Sequence, residues 1–520
     1  MTTMTTGSDT LTRDALAVLQ PGFVGTTAPD WLLRRIGEGL ASVGLFGRNI
    51  VSAPQVAALT AQLRAERDDL LVAIDEEGGD VTRIEVRTGS SFPGNLALGA
   101  VDDLDLTRAV ARELGRRLAE CGVNLNWAPS ADVNSNPDNP IIGVRAFGAD
   151  TELVARHTAA YIEGLQAAGV AACTKHFPGH GDTNVDSHHA MPRIDVDLDT
   201  LHRRELVPFR AAIAAGSKSV MSAHILLPAL DPARPATLSP RILTGLLREE
   251  LGYDGLIVSD AVEMQAIAGT VGIERGSVLA IAAGADALCV GGGLADEGTV
   301  LRLRDALVQA VRDGELAEER LADAAARVRA LAAWAQRARA EAATGAAVQE
   351  GTAPGATTGI GATTGIGATT GVGADIGLVA ARRAARVTAS PSWRPLETAP
   401  YVATFTPVMN IAVSSETPWS IGAELAELLH GTEGGTFGTD SGAAEVLAAA
   451  GERRIVAVVR DEHRHPWMAA ALDALLAARP DTVVVEMGVP RAAARGALHI
   501  ATHGAARVCG RAAAEAIAGV

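Results

Sequence analysis

Gly169-Val-Ala-Ala-Cys-Thr-Lys-His-Phe-Pro-Gly-His-Gly181 passes within a few residues from wholly apolar to densely polar. A short apolar run closed by breakers reads as a buried strand, and Pro178, Gly179 and Gly181 supply the break. The strand expected at 171–174 therefore opens at its downstream tip into a polar loop, which continues as Asp182-Thr-Asn-Val-Asp-Ser-His-His189. From Lys175 to His189 the loop holds four histidines, one lysine and two aspartates. Solubility does not require that density, so the search for a site starts here.

Outward from this stretch the chain repeats one theme: an apolar strand, a polar or glycine-rich tip, then an amphipathic stretch rich in Ala, Leu and Arg. Eight strands are expected, at 23–24, 43–46, 71–74, 124–127, 171–174, 219–222, 256–259 and 287–290. Strands alternating with helical patterns imply parallel pairing through crossover helices, and eight in succession suggest a closed (β/α)8 barrel. An open doubly wound sheet competes, but no G-x-G-x-x-G follows an early strand. Asp75, Lys175, His176, His224 and Asp260 each fall at a downstream strand tip, and in a barrel those tips converge on one face. Any one of them alone could serve as a helix cap.

The expected layout is a catalytic barrel over 13–342, a linker over 343–375 and a smaller α/β domain over 376–520. The linker repeats Gly-Ala-Thr-Thr-Gly-Ile and has too little side-chain volume to build a core. In the last part, strands are expected at 410–413, 454–459 and 482–485, with helices at 422–429, 467–477 and 510–517.

Composition bounds the function. The 520 residues are 48% apolar and 20% charged, as in a globular protein, and the formal charge of −16 argues against a nucleic-acid binder. Cys121, Cys173, Cys289 and Cys509 are widely spaced, which suggests reduced, buried thiols rather than a disulfide frame. The first twelve residues lack the basic and apolar regions of a signal peptide, and no window approaches the roughly 20 apolar residues of a membrane span. A cytoplasmic protein with no membrane partner is expected.

His176 and His180 are separated by Pro178 and Gly179, so they do not share a helical face as a zinc pair would, and neither a metal nor a cofactor is expected. Asp186 and His188 stand two apart. In an extended segment they share a face, where the carboxylate can fix the imidazole tautomer and leave an acid/base group. Asp260, at the seventh strand tip, could attack an electrophilic carbon while that dyad protonates the leaving group. This is the two-sided geometry of retaining glycoside hydrolysis, with a histidine in place of the usual carboxyl.

The run Lys175-His-Phe-Pro-Gly-His-Gly-x-x-x-x-Asp186-Ser-His188 closely resembles glycoside hydrolase family 3, together with Ile74-Asp-Glu-Glu-Gly-Gly79, Asn134-Ser-Asn-Pro137, Arg145-Ala-Phe-Gly148, Met221-Ser-Ala-His224 and Ser259-Asp260. Its Asp-Ser-His loop resembles the bacterial β-N-acetylglucosaminidases of the cell-wall recycling type. The resemblance covers about residues 15–340. It implies Asp260 as nucleophile, His188 as acid/base with Asp186 as its partner, and Asp75, Arg145, Lys175 and His176 as sugar contacts. Arg83 matches a further contact, although Asp80 stands where the family often has a basic residue. A C-terminal αβα sandwich is implied as well.

The activity expected is removal of terminal β-linked GlcNAc from peptidoglycan fragments, muropeptides or chitooligosaccharides through a covalent glycosyl-enzyme. A phosphorylase using inorganic phosphate is the alternative, because an imidazole repels phosphate less than a carboxylate does. A β-glucosidase is a further alternative.

Overall fold

The computed structural model describes residues 3–183, 191–350, 372–407 and 412–520. Eight parallel strands form one sheet: β1 (Leu19–Pro21), β2 (Ser42–Leu45), β3 (Leu71–Ile74), β4 (Leu125–Asn126), β5 (Ala171–Phe177), β6 (Ser219–Ser222), β7 (Leu256–Ser259) and β8 (Ala287–Val290). Each follows its predecessor in space and β8 returns to β1, with Leu19 beside Leu288 and Pro21 beside Val290. Only the β1–β2 seam lacks a backbone ladder. Ser42 Oγ bridges it by donating to Leu19 O at 3.2 Å, so the barrel is nearly closed.

The first strand is a correction. It lies at Leu19–Pro21 rather than 23–24; Phe23 is buried beyond its end, and Val24 is 69% exposed. Gln20 and Pro21 disguise it, yet Gln20 is fully buried in the barrel, and Pro21 sits at the last paired position, where a missing N–H costs least. β5 runs on to Phe177, so Lys175 and His176 belong to the strand itself rather than to the loop after it.

Strands sheathed on both sides read as continuous apolar runs, and the helices around them are amphipathic. Helix Leu104–Glu120 buries Leu106, Val110, Leu114 and Leu118, and Asp103 caps it by accepting the Leu106 N–H. Helix Thr151–Ala167 packs beside it, capped by Asp150 through the Leu153 N–H. All four cysteines are buried and free.

The second sheet has six strands: β9 (Arg386–Ala389), β10 (Tyr401–Phe405), β11 (Glu433–Phe437), β12 (Ile455–Val459), β13 (Val483–Glu486) and β14 (Leu498–Ala501). Their order is β11-β10-β12-β13-β14-β9, all parallel except β9. Along β12, Val456 and Val458 pack with Leu425 and Ile517, while Ile455, Ala457 and Val459 pack with Val446, Met468 and Leu472. Period-two alternation thus feeds two helical layers, which makes an αβα sandwich. Of the strand expected at 410–413, residues 410 and 411 lie outside the described residues, and 412–413 are a correction, since they form a turn rather than a strand. Residues 351–371 of the expected linker also lie outside the described residues, and its ends are a correction, since helices Glu318–Glu350 and Val372–Ala384 run into 343–350 and 372–375.

The two domains dock. Helix Val372–Ala384 lies against helices Asn95–Val101 and Leu104–Glu120, and Arg383 pairs with Asp103 at 2.7 Å. His463 Nε2 lies 3.0 Å from Pro137 O across the same junction.

Candidate active site

The downstream tips of β3 to β7 surround a cavity of about 370 Å³. Asp75 and Glu77 come from the tip of β3. Asn126 of β4 fixes the residue between them: its amide accepts the Glu76 N–H at 2.9 Å and donates to Glu76 O at 2.7 Å. Alternation then sends Glu76 and Glu77 to different places. Glu76 Oε2 accepts the backbone N–H groups of Arg83 and Ile84, whereas Glu77 faces the cavity.

Lys175 is 2% exposed, and its Nζ lies 2.6 Å from Asp75 and 2.8 Å from Glu77. Arg145 grips Glu77 with both fork atoms, Nε–Oε2 at 3.0 Å and Nη2–Oε1 at 2.7 Å. Burial opposes the Glu77 charge, but Arg145 and Lys175 outweigh it and hold the carboxyl below its ordinary range. Burial likewise opposes the Lys175 charge, and Asp75 and Glu77 more than restore it. The ammonium is therefore a fixed positive point on the cavity wall.

A second buried carboxylate orders the histidines. Asp132 accepts from His176 Nδ1 at 2.7 Å, from the His180 N–H at 2.7 Å and from Ser130 Oγ at 2.9 Å. With Nδ1 donating to Asp132, His176 Nε2 accepts from Arg145 Nη2 at 3.3 Å. Burial again works against the Asp132 charge, and the His176 and His180 rings override it, so its pKa is depressed. His180 is buried, which with the neighbouring His176 lowers its pKa to about 4. At Gly181 a Cβ would stand 1.7 Å from Val133 O, so only glycine lets the loop after β5 press onto the loop after β4.

Asp260 follows β7. Its N–H donates to Ser222 O at 3.0 Å, its Oδ1 accepts the Ala261 N–H at 2.8 Å, and it lines the cavity with Asp75, Arg145, Lys175 and His176. His224, buried behind it, ties Thr237 to Ala261 O through contacts of 2.9 Å at each ring nitrogen. Glu263 also faces the cavity. Its Oε1 accepts the N–H groups of Gly291 (2.8 Å) and Gly292, and burial together with the Asp260 charge raises its pKa. Phe46, Trp127 and Met221 give apolar walls, and Trp127, 1% exposed, also belongs to the core.

Arg83 reaches the wall as well, and its Nη2 donates to Ala412 O of the second domain at 3.0 Å. Six expected residues, Asp75, Arg83, Arg145, Lys175, His176 and Asp260, thus share one cavity. Asp186, His188 and His189 fall within 184–190, outside the described residues. Sequence reasoning missed Glu77, Asp132 and Glu263. Glu77 was traceable as the residue two beyond Asp75, Asp132 as a carboxylate just past β4, and Glu263 as a second acid one helical turn past Asp260.

Carboxylates set against a forked arginine and a lysine, over the C-terminal tips of a parallel barrel, are the equipment of a carbohydrate-active barrel enzyme. Residues 33–331 match the Glycosyl hydrolase family 3 N terminal domain, and the chain belongs to that family. It is 36% identical over 329 residues to "Beta-hexosaminidase A" of Pseudoalteromonas piscicida, covering 58% of this chain and 55% of that protein. The match therefore spans about half the length of that relative. A "Beta-hexosaminidase" of Chromobacterium violaceum is 39% identical over 258 residues, covering 48% of this chain and 71% of that one. The solved glycoside hydrolase family 3 β-N-acetylglucosaminidase of Paenibacillus sp. str. FPU-7 superposes with a TM-score of 0.83 at 34% identity, covering 98% of this chain and 96% of the other. Among the described residues, no helix is long and apolar enough to cross a membrane.

Proposed function

We propose that the chain is a retaining exo-β-N-acetylglucosaminidase that removes terminal β-linked GlcNAc from peptidoglycan fragments or chitooligosaccharides in the cytoplasm. The observation that carries this is the position of Asp260, opening from β7 into the cavity that Asp75, Arg145, Lys175 and His176 line. The similarity to proteins named β-hexosaminidases and β-N-acetylglucosaminidase supports the choice of glycone. A cavity of about 370 Å³ falls in the range of small-ligand sites and suits one pyranose.

In this mechanism Lys175, His176, Arg145, Asp75 and Arg83 hold the hydroxyls of the terminal sugar. The Asp260 carboxylate attacks the anomeric carbon. His188, oriented by Asp186, gives its proton to the glycosidic oxygen as the C–O bond breaks and the aglycone leaves. His188 then takes a proton from water, whose oxygen attacks the same carbon and releases Asp260. Two inversions give net retention. The segment bearing Asp186 and His188 follows directly on Thr183, close in sequence to cavity-lining His180.

The test combines turnover and trapping. In phosphate buffer, 4-nitrophenyl β-GlcNAc should yield nitrophenol and free sugar, with no sugar 1-phosphate. A 2-fluoro glycosyl fluoride should add one glycosyl mass to the peptide containing Asp260. Sugar 1-phosphate as the main product would make the enzyme a phosphorylase, and a label on another peptide would remove Asp260 from the nucleophile's role.

A further inference from the structure

The turn after β3 is held from two directions. Its root closes on itself, with the Glu77 N–H donating to Val81 O at 3.0 Å. On the barrel side Gly79, at φ +63°, lies so close to Gly94 that a Cβ would come within 2.5 Å of its Cα. At the apex stands Asp80, 5% exposed, and both of its carboxylate oxygens are engaged by the second domain. Oδ2 pairs with Arg460, the residue after β12, and Oδ1 accepts the Ala505 N–H at 2.7 Å, just ahead of helix Arg507–Ala518. Arg460 is equally enclosed, and among the described residues its Nη1 is buried with no hydrogen-bond partner, while its Nη2 is paired with Asp80. Three residues beyond Asp80, Arg83 meets the same domain through Ala412 O.

We propose that Asp80 is a positioning residue through which the second domain sets Arg83 on the wall of the cavity. The turn has little freedom of its own. Glu77 at its root is locked to Arg145 and Lys175, and the Arg83 and Ile84 N–H groups are fixed on Glu76 Oε2. What remains adjustable is the apex, and that is where Arg460 and Ala505 hold it. The Arg83 guanidinium then reaches both Ala412 O and the cavity only when the two domains are docked. Asp80 touches no substrate; its effect passes through Arg83.

This inference rests on the glycosidase reading, and a double-mutant cycle in the full chain tests it with 4-nitrophenyl β-GlcNAc. Asp80→Asn and Arg83→Ala should each raise KM about tenfold while kcat stays within about twofold, the mark of lost binding shared by ground and transition states. Because Asp80 acts through Arg83, the double variant should be no worse than Arg83→Ala alone. If Asp80→Asn fails to fold, judged by near-ultraviolet circular dichroism, Arg460→Lys takes its place in the same cycle and should show the same non-additivity with a smaller KM rise. Multiplying KM effects, or an unchanged KM in a folded variant, overturns the inference and leaves the activity standing. A wild type that releases no nitrophenol overturns both.

Discussion

Lys175 Nζ lies 2.6 Å from Asp75 Oδ1 and 2.8 Å from Glu77 Oε1, so one buried ammonium ties the tip of β5 to the tip of β3. Its removal leaves Glu77 to Arg145 alone and takes this cation from the partly exposed Asp75, and breaking a buried ion pair costs about 3–5 kcal/mol. Lys175→Met, which keeps the volume of the stem, should lower the unfolding free energy by about 3 kcal/mol in urea titrations. A loss under about 1 kcal/mol would mean that the ammonium neutralises little.

Asp260→Ala removes the proposed attacking atom without touching a strand. Turnover of 4-nitrophenyl β-GlcNAc should fall about 10⁴-fold or more, with stability nearly unchanged. Azide should restore part of the rate and give the glycosyl azide of inverted configuration. If activity survives the substitution, another residue attacks the sugar.

Glu263 holds the glycine turn after β8 by its N–H groups, while Arg48 holds the carbonyls of Gly291 and Gly292. Gly291 has no room to move toward Phe46, since a Cβ there would stand 1.9 Å from the ring. Glu263→Gln keeps an oxygen acceptor and should retain most activity, whereas Glu263→Ala frees the turn beside Asp260 and should lower kcat/KM about ten- to hundredfold. Equal losses in the two variants would point instead to a role for the charge.

His503 gives a stability signature in acid. Burial, helped by Arg386, lowers its pKa from 6.5 to about 4. Between those values the unfolded chain binds a proton that the folded one refuses, so stability falls as pH drops from 6.5 toward 4, by at most about 1.4 kcal/mol per pH unit. Glu76 and Glu205, each raised to about 7 by burial, and Glu486, raised to about 8, pull the opposite way, while His180, lowered to about 4, adds to His503, so the wild-type curve mixes them all. A difference curve separates them. His503 sits at φ +59°, a conformation asparagine tolerates, so His503→Asn should fold and should gain on the wild type as pH falls from 7 to 5. Parallel denaturation curves at both pH values would exclude the histidine.

Legibility in the sequence followed burial on two sides. Leu256–Ser259 and Ala287–Val290 are sheathed by neighbours and read as apolar runs whose expected bounds match the strands to the residue. β11, Glu433-Gly-Gly-Thr-Phe437, is a largely exposed edge, and β9 is exposed throughout, so neither carries a hydrophobic pattern. β14, Leu498–Ala501, is short and carries His499 within it, and the apolar 410–413 draws the expected strand away from β10 nearby. Within the site, Asp75, Arg145, Lys175, His176 and Asp260 were legible because they cluster at strand tips or in motifs. Glu77 and Asp132 left only the faint trace of standing near a strand tip, because their work is on other side chains. Such pairings join segments far apart in the chain, and local spacing does not encode them.

The seam between β1 and β2 has a consequence for biosynthesis. With no ladder to β2, the first strand has β8 as its only strand partner among the described residues. At about 5–20 residues per second on the ribosome, Leu19–Pro21 waits roughly tens of seconds for Ala287–Val290 to be made. Until then the nascent barrel is an open sheet missing its last stave, and holding that edge clear of other chains falls to whatever escorts the polypeptide out of the tunnel.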